Sequence, residues 1–453
     1  MTKDKDTGRM ETLYYAILLG SSKIIAYLVL LVLANWFVLS DYGRASFVMS
    51  AFRVAILCGS VGLPFIYVPW MINKKDTSSV FYFLLFFNIL IMFIGLAIGI
   101  KHSWTWPIIF AIPLTTISGI CNAILRVKHK YHIIQLMGII LEIYTLGFIA
   151  FLAVYGKAGI IWSHAIAITL TNFTFIYLTR KELMAIVKRF KFNLGIIKQY
   201  VSKGTITSLL YISGSILMWI DSLVLGSLST FENVAKYNVA GPISGVIAAV
   251  PFSFSMFLLT REAEVKDERL SKSILKRVLR ISFSLSLLFA ILILSFIFPI
   301  VEIFFPKYIG VEVYIMILAI GILFSSIYSM IIVYNMSKLQ PEKIFWPIVL
   351  AALINLGLDV LLIPKYGLYG ITAATTIAHT FAFFTIFYKE GMLKEFISVL
   401  VVLLFVPLSY YAGALGVLLV PLALAFLYSL NLLKEGDIYS MVKTVFEVFE
   451  RFK

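Results

Sequence analysis

The chain has 453 residues, of which 61% are apolar and 13% charged, and its formal net charge is +15. Soluble domains carry about 45–50% apolar and about 25% charged residues, so the composition excludes a water-soluble globular protein. A large positive charge also occurs in nucleic-acid-binding proteins, but no recognition motif stands in the polar segments, and nucleic acid is excluded as a partner.

A spanning helix needs roughly 20 mostly apolar residues. Runs of that kind are expected at 13–39, 45–70, 79–100, 104–125, 133–154, 159–178, 204–228, 235–260, 279–300, 311–336, 344–363, 368–388, 395–412 and 415–433. The first exceeds the roughly 7–15-residue core of a cleavable signal peptide and has no clean cleavage site after it, so it reads as a permanent span. The runs are continuous rather than alternating, which excludes a β-barrel. The expected fold is therefore all-α and integral to the membrane, with about 14 transmembrane helices. Short hairpin turns separate them, as at Tyr155-Gly156, Phe305-Pro306 and Pro364-Lys365-Tyr366-Gly367.

Two polar connections are long. Within 180–203, Leu183, Ile186, Val187, Phe190 and Leu194 recur at helical spacing among Lys188, Arg189 and Lys191. This pattern predicts a basic amphipathic helix on the membrane surface. The tail 437–453 carries Ile438, Met441, Val442, Val445, Phe449 and Phe452 on one face and is expected to lie there too.

Thirty of the 38 basic residues fall in alternate connections. The opposite set holds only Arg44, Lys101, Lys157, Lys236, Lys307 and Lys365, and Lys23 and Arg53 sit inside apolar runs. Loops rich in Lys and Arg stay cytoplasmic, next to anionic headgroups. Both termini are then cytoplasmic, and a bacterial inner membrane fits.

Shifting the chain by 211 residues lays Tyr155-Gly156-Lys157-Ala158-Gly159-Ile160 on Tyr366-Gly367-Leu368-Tyr369-Gly370-Ile371, with Ile133 on Ile344 and Tyr177 on Tyr388. Spans five and six thus match spans eleven and twelve. A fainter echo joins Pro64 to Pro251. A repeat offset by six spans keeps orientation, so it is a parallel repeat about an axis along the membrane normal. The expected organisation is a six-helix bundle in 1–179, a basic linker in 180–203, a second six-helix bundle in 204–390, and two extra helices with a tail in 391–453. A central cavity and alternating access follow from it.

A Lys, Arg or Asp at mid-bilayer costs roughly 2.5–3.5 kcal/mol on insertion scales and usually faces a cavity or a partner. Lys23 lies about ten residues into the first span, and Arg53 shares a face with Ser46, Ser50 and Ser60. Arg can clamp phosphate oxygens in a bidentate fork, and Lys acts as a point charge. Both are candidate ligands for an anionic substrate, with Ser50 in support; the alternative is that each pairs with a buried carboxylate. Glu142, Asp221 and Asp359 are the carboxylates placed to do so, or to bind Na⁺ or a proton for coupling. Asn355 sits one turn from Asp359. His164 and His379 lie in spans six and twelve, and His379 shares a face with Thr372, Thr375 and Thr376. Trp104, Trp106, Trp162 and Trp346 lie near span ends, as an interfacial belt requires, and Pro64, Pro113, Pro251 and Pro407 are candidate kinks.

Two further segments carry a family likeness. Asp221-Ser222-Leu223-Val224-Leu225-Gly226 with Tyr237-Asn238-Val239-Ala240, and Asn355 with Leu361-Leu362-Ile363-Pro364-Lys365-Tyr366-Gly367-Leu368-Tyr369-Gly370-Ile371-Thr372-Ala373-Ala374, resemble Wzx-type polysaccharide flippases. These belong to the superfamily that shares its fold with MATE exporters. The resemblance implies a MATE-like fold and a flippase for undecaprenyl-diphosphate-linked oligosaccharide, serving O-antigen, capsule or exopolysaccharide synthesis. It also implies a cationic cavity and polysaccharide polymerase and chain-length machinery as partners. The rivals are a MATE-type ion-coupled exporter, a peptidoglycan-precursor lipid flippase, and a membrane enzyme acting on polyprenyl lipids. No GxxxxGK[ST] loop is present, the His129/His132 pair lacks a third metal ligand, and no acid/base pair stands in a basic loop. No catalytic residue, resident metal or cofactor is expected beyond a coupling Na⁺ or H⁺.

Overall fold

A computed structural model describes residues 18, 21–60, 67, 71, 77–99, 102–128, 130–189, 192–248, 267–338 and 340–434. Pro64, Pro251, His129 and the apolar face of the 437–453 tail lie outside these residues. Every regular element among them is helical, as backbone groups in hydrocarbon require when no barrel closes. The chain divides into two compact units, 1–235 and 236–453. That boundary falls beyond the 180–203 linker, so the helix after the linker belongs to the first unit.

In the first unit, α1 spans Ser21–Trp36 and α2 spans Leu39–Ser60, with Asp41 in its first turn. The break between them lies at residues 37–38 rather than 40–44. Arg44 is therefore inside α2 instead of in a loop, with its guanidinium 5.3 Å from the Phe231 ring. Helix α3 spans Thr77–Ile98, α4 Trp106–Val127, α5 Tyr131–Leu152 and α6 Lys157–Leu178. Pro107 starts α4, where a missing N–H costs nothing, and Pro113 lies inside it.

The basic linker resolves into two parts. Helix α7, Arg180–Lys188, buries Leu183 and Ile186 in a core that includes Phe81, Leu84, Ile120, Ile124 and Tyr200. Tyr82 donates to the Val187 carbonyl (3.0 Å). Leu183, Ile186 and Val187 of the edge expected to meet the membrane surface thus pack against the unit's own helices, Leu194 is exposed, and Phe190 lies outside the described residues. Residues 194–203 are not linker but the start of α8, Leu194–Leu228. Asn193 caps it, its side chain accepting from Gly195 N (2.9 Å) and Ile196 N (3.2 Å), an arrangement worth ~1 kcal/mol. At about 1.5 Å per residue this helix is about 50 Å long, more than the roughly 30 Å hydrocarbon layer.

Helix α9, Phe231–Gly245, follows. Glycine sets the approach of α2 to α8 and α9. A Cβ on Gly43 would sit 1.7 Å from the Phe231 carbonyl oxygen, and one on Gly226 would sit 2.4 Å from the Phe47 ring. Hydrocarbon gives helices little reason to associate by apolar burial, so close packing at small residues takes that role.

In the second unit, α10 spans Glu268–Ser295 and is capped by Asp267. It begins eleven residues before the expected span and carries the basic segment as helix. Next come α11, Ile297–Phe304, α12, Glu312–Ser337, α13, Glu342–Tyr366, and α14, Leu368–Lys389. An aromatic chain ties α12 to α14 and onward: Phe324–Phe383, Phe383–Phe387 and Phe387–Phe396, with centroids 4.7, 4.3 and 5.0 Å apart. The stretch Leu393–Ser429 is long and apolar and is interrupted at Gly413, whose φ is +56°. It corresponds to the two expected C-terminal spans.

The repeat is visible in the backbone. The α5–α6 turn passes through Gly156 at φ +56° and the α13–α14 turn through Gly367 at φ +53°, a region only glycine visits freely. Three residues on, Gly159 lies against the Leu152 carbonyl and Gly370 against the Leu362 carbonyl, each too close for a side chain.

Candidate functional site

The first unit gathers its intramembrane charges around Arg53. Ser46 and Ser50 are buried on the same face of α2, and Tyr42 hydrogen-bonds Ser46. Ser46 and Ser50 of the polar stripe expected from the sequence therefore face protein. The Arg53 guanidinium lies over the Trp219 ring of α8, 4.1 Å from its centroid. Cation–π contact with Trp is the strongest of its class, about 2 kcal/mol or more when desolvated. The ion pairs within 4.0 Å among the described residues are Lys128–Glu182, Lys272–Glu268 and Lys276–Glu395. Arg53 is in none of them.

Glu142 on α5 interacts electrostatically with Arg53 and with Lys23. Helices α1 and α5 meet one turn away, where Gly138 faces the Ser22 hydroxyl. Lys23 and Arg53 are thus the two described cations that act on this carboxylate, at longer range than an ion pair. His164 on α6 feels Arg53 as well, and its Nδ1 lies 2.9 Å from the Ile160 carbonyl. Asp221 on α8 is buried. It follows Trp219 by two residues and so projects from a different side of the helix.

Tyr42 and Trp219 were not singled out from the sequence. Trp219 differs from Trp104, Trp106, Trp162 and Trp346 in lying well inside a span rather than near its end. That position was the available signal. Of the end-of-span tryptophans, Trp162 Nε1 donates to the Trp104 carbonyl (3.1 Å), and the Lys157 amine lies 5.4 Å from the Trp104 ring.

The second unit holds a different kind of site. Asn355 and Asp359 on α13 are fully buried, and Asn355 Nδ2 donates to Asp359 Oδ2 (2.9 Å). A carboxylate so deep in a helical unit needs a donor, a cation or a proton. His379 of α14 is also buried. Its Nδ1 lies 2.7 Å from the Tyr328 hydroxyl of α12. The threonines on its face serve other partners: Thr372 and Thr375 donate to the Leu368 and Ile371 carbonyls, and Thr376 donates to the Ile317 carbonyl.

No family model matches the chain. An uncharacterized membrane protein of Methanocaldococcus jannaschii, MJ1068, is 30% identical over 193 residues, which cover 41% of this chain and 38% of that protein. The match thus spans little more than a third of the relative's length. Among solved structures, the lipid II flippase MurJ in an inward closed conformation superposes with a TM-score of 0.70 at 16% identity, covering 90% of this chain and 97% of that one. An inward-facing multidrug resistance MATE transporter gives 0.60 at 12% identity, covering 84% and 94%. A MATE protein in its bent conformation gives 0.60 at 14%, covering 86% and 96%. The chain is therefore a multi-pass membrane protein with the all-α fold shared by MurJ and MATE transporters.

Proposed function

We propose that the chain is a membrane transporter that flips a polyprenyl-diphosphate-linked oligosaccharide by alternating access, for cell-surface polysaccharide synthesis. Arg53 carries this reading: it is an intramembrane guanidinium stacked on an aromatic ring, and among the described residues no carboxylate lies within ion-pair distance of it. A diphosphate is the complementary ligand for such a group, since Arg presents paired N–H donors to phosphate oxygens. Lys23 adds a second positive charge, Ser50 supports the Arg53 face, and Glu142 keeps the empty cluster from carrying two uncompensated charges. Trp219 occupies the guanidinium face until the diphosphate arrives. In the second unit, Asp359 with Asn355 is the site through which Na⁺ or a proton resets the carrier. Asp221 and His379 are further candidates for that coupling. The Wzx-type resemblance supplies the undecaprenyl carrier, and polymerase and chain-length proteins as neighbours in a bacterial inner membrane.

A second reading, a flippase for the peptidoglycan precursor, is favoured by the superposition on MurJ and uses the same diphosphate chemistry. A MATE-type exporter of organic cations fits a positively charged cluster poorly, because like charges repel.

The test is a strain lacking the gene. Its lipid-linked oligosaccharides should accumulate on the cytoplasmic leaflet, and the wild-type gene should reverse this. An unchanged lipid pool with new sensitivity to cationic dyes would replace this reading by the MATE-type one. Accumulation of the peptidoglycan precursor instead would select the second reading.

A further inference from the structure

We infer that the second unit carries a separate binding site for a phosphate-bearing headgroup at its basic end, formed where α10, α12, α13 and α14 terminate. A depression of about 200 Å³ there is lined by Glu268 and Lys272 of α10, Tyr334 of α12, Lys338 just beyond it, Lys343 of α13, and Glu390 next to α14. The site is independent of the Arg53 reading, lying in the other unit and at the ends of its apolar helices.

The lining is polar on every wall, and its components are held in place. Tyr334 is buried and receives the Ser271 hydroxyl at 3.4 Å. The Lys338 amine lies 5.9 Å from the Tyr334 ring. Glu390 accepts from the fully buried Asn335 amide at 2.9 Å, which fixes one carboxylate by a neutral donor. The other, Glu268, pairs with Lys272 along α10 at 3.6 Å in an exposed arrangement, which a stronger anion readily displaces. Three amines from three different elements therefore surround one depression against two carboxylates. Among the described residues Lys343 is in no ion pair within 4.0 Å. Ammonium groups are point charges that bind phosphate without a fixed fork.

Position points to a headgroup. Leu270 lies two residues before Lys272, and Trp346 three after Lys343; both are exposed. Exposed apolar and Trp residues beside basic ones mark the level at which a protein meets lipid headgroups. This end of the unit is also the one that the charge asymmetry assigns to the cytoplasm, where basic pockets between helices bind anionic headgroups.

The test uses the full chain in detergent with short-chain phosphatidic acid as probe, scored by native mass spectrometry. Lys338→Gln with Lys343→Gln should weaken retention of the lipid about tenfold, the loss of two charge-assisted contacts. Lys181→Gln with Lys188→Gln, on exposed positions of α7, should leave it unchanged. Glu390→Gln should strengthen retention roughly threefold by removing a like charge, a gain that misfolding does not produce. Competition then separates the sources: displacement by millimolar inorganic phosphate supports a free phosphate ligand, and its failure supports a lipid headgroup. Equal loss in both lysine pairs, or no loss in either with no gain in Glu390→Gln, would overturn the site.

Discussion

The α5–α6 hairpin of the first unit and the α13–α14 hairpin of the second are the same backbone carrying different chemistry. Both turn through a left-handed glycine and both bring a second glycine against a carbonyl of the preceding helix. Yet 17% of the apolar stretch of α5 is buried within the protein, against 39% in α13. Glu142 on α5 is half-buried and shared by two cations, whereas Asp359 on α13 is fully buried on an amide. The two hairpins share the positions that set helix spacing and differ in those that carry charge. The first unit holds Arg53 with Lys23 and Glu142, and the second a buried carboxylate on an amide and a histidine–tyrosine pair.

Substitutions that probe this division should differ in size and in readout. Arg53→Ala should reduce export by at least about thirtyfold with protein level unchanged, since truncating a charge that contacts a desolvated ligand costs about 2–5 kcal/mol. Arg53→Lys should fall between, because it keeps the charge and loses the fork. Export at the wild-type rate in Arg53→Ala would remove the diphosphate role from the first unit. Asp359→Asn should lower transport about tenfold and abolish its dependence on an imposed ion gradient, in the usual range for coupling between sites. A variant that still responds to the gradient would move coupling elsewhere, with Asp221 the next candidate.

The shared scaffold can be broken in both units. A Cβ on Gly159 would lie 1.8 Å from the Leu152 carbonyl oxygen, and one on Gly370 would lie 2.5 Å from that of Leu362. Gly159→Ala should cost roughly 1–3 kcal/mol, the usual range for overpacking, and Gly370→Ala less; thermal unfolding in detergent reads both. Gly367→Ala should cost roughly 1–2 kcal/mol through its positive φ alone. Insensitivity of either hairpin would mean that the two turns are not equivalent.

The smallest effect concerns the docking of α7. The Lys128 amine, which donates to Glu182, holds that carboxyl below its usual range. A depressed folded-state value means that the contribution is present above the ordinary glutamate value of 4.5 and is lost as pH falls through the folded one. The pair is partly exposed, so the effect is small and salt-screened. Relative to the intrinsic exchange rate at each pH, protection of the α7 amides should fall modestly in acid, and Lys128→Gln should reproduce that loss of protection at neutral pH.

Much of this was legible in the sequence, for physical reasons that also mark where legibility stops. Continuous apolar runs can only be helices in a bilayer, and the Tyr-Gly turns recur because a left-handed turn selects glycine. The start of α2 was less readable, since a helix tolerates Arg44 in its first turns once an aromatic ring receives it. The linker's apolar edge fits a membrane surface and a groove in the protein equally well, and periodicity does not distinguish the two. The partners of Arg53 and His379 lie 166 and 51 residues away in the chain, and helical spacing within one segment does not reach that far.

The central claim is that Arg53 takes a lipid-linked diphosphate across the membrane. Its most direct test is reconstitution of the purified chain in vesicles containing a polyprenyl-diphosphate-linked oligosaccharide, with outer-leaflet sugar scored by a membrane-impermeant oxidant over time. Wild-type vesicles should expose the sugar of the inner leaflet and Arg53→Ala vesicles should not. Equal exposure in both, or none in either while an organic cation is transported, would contradict the account.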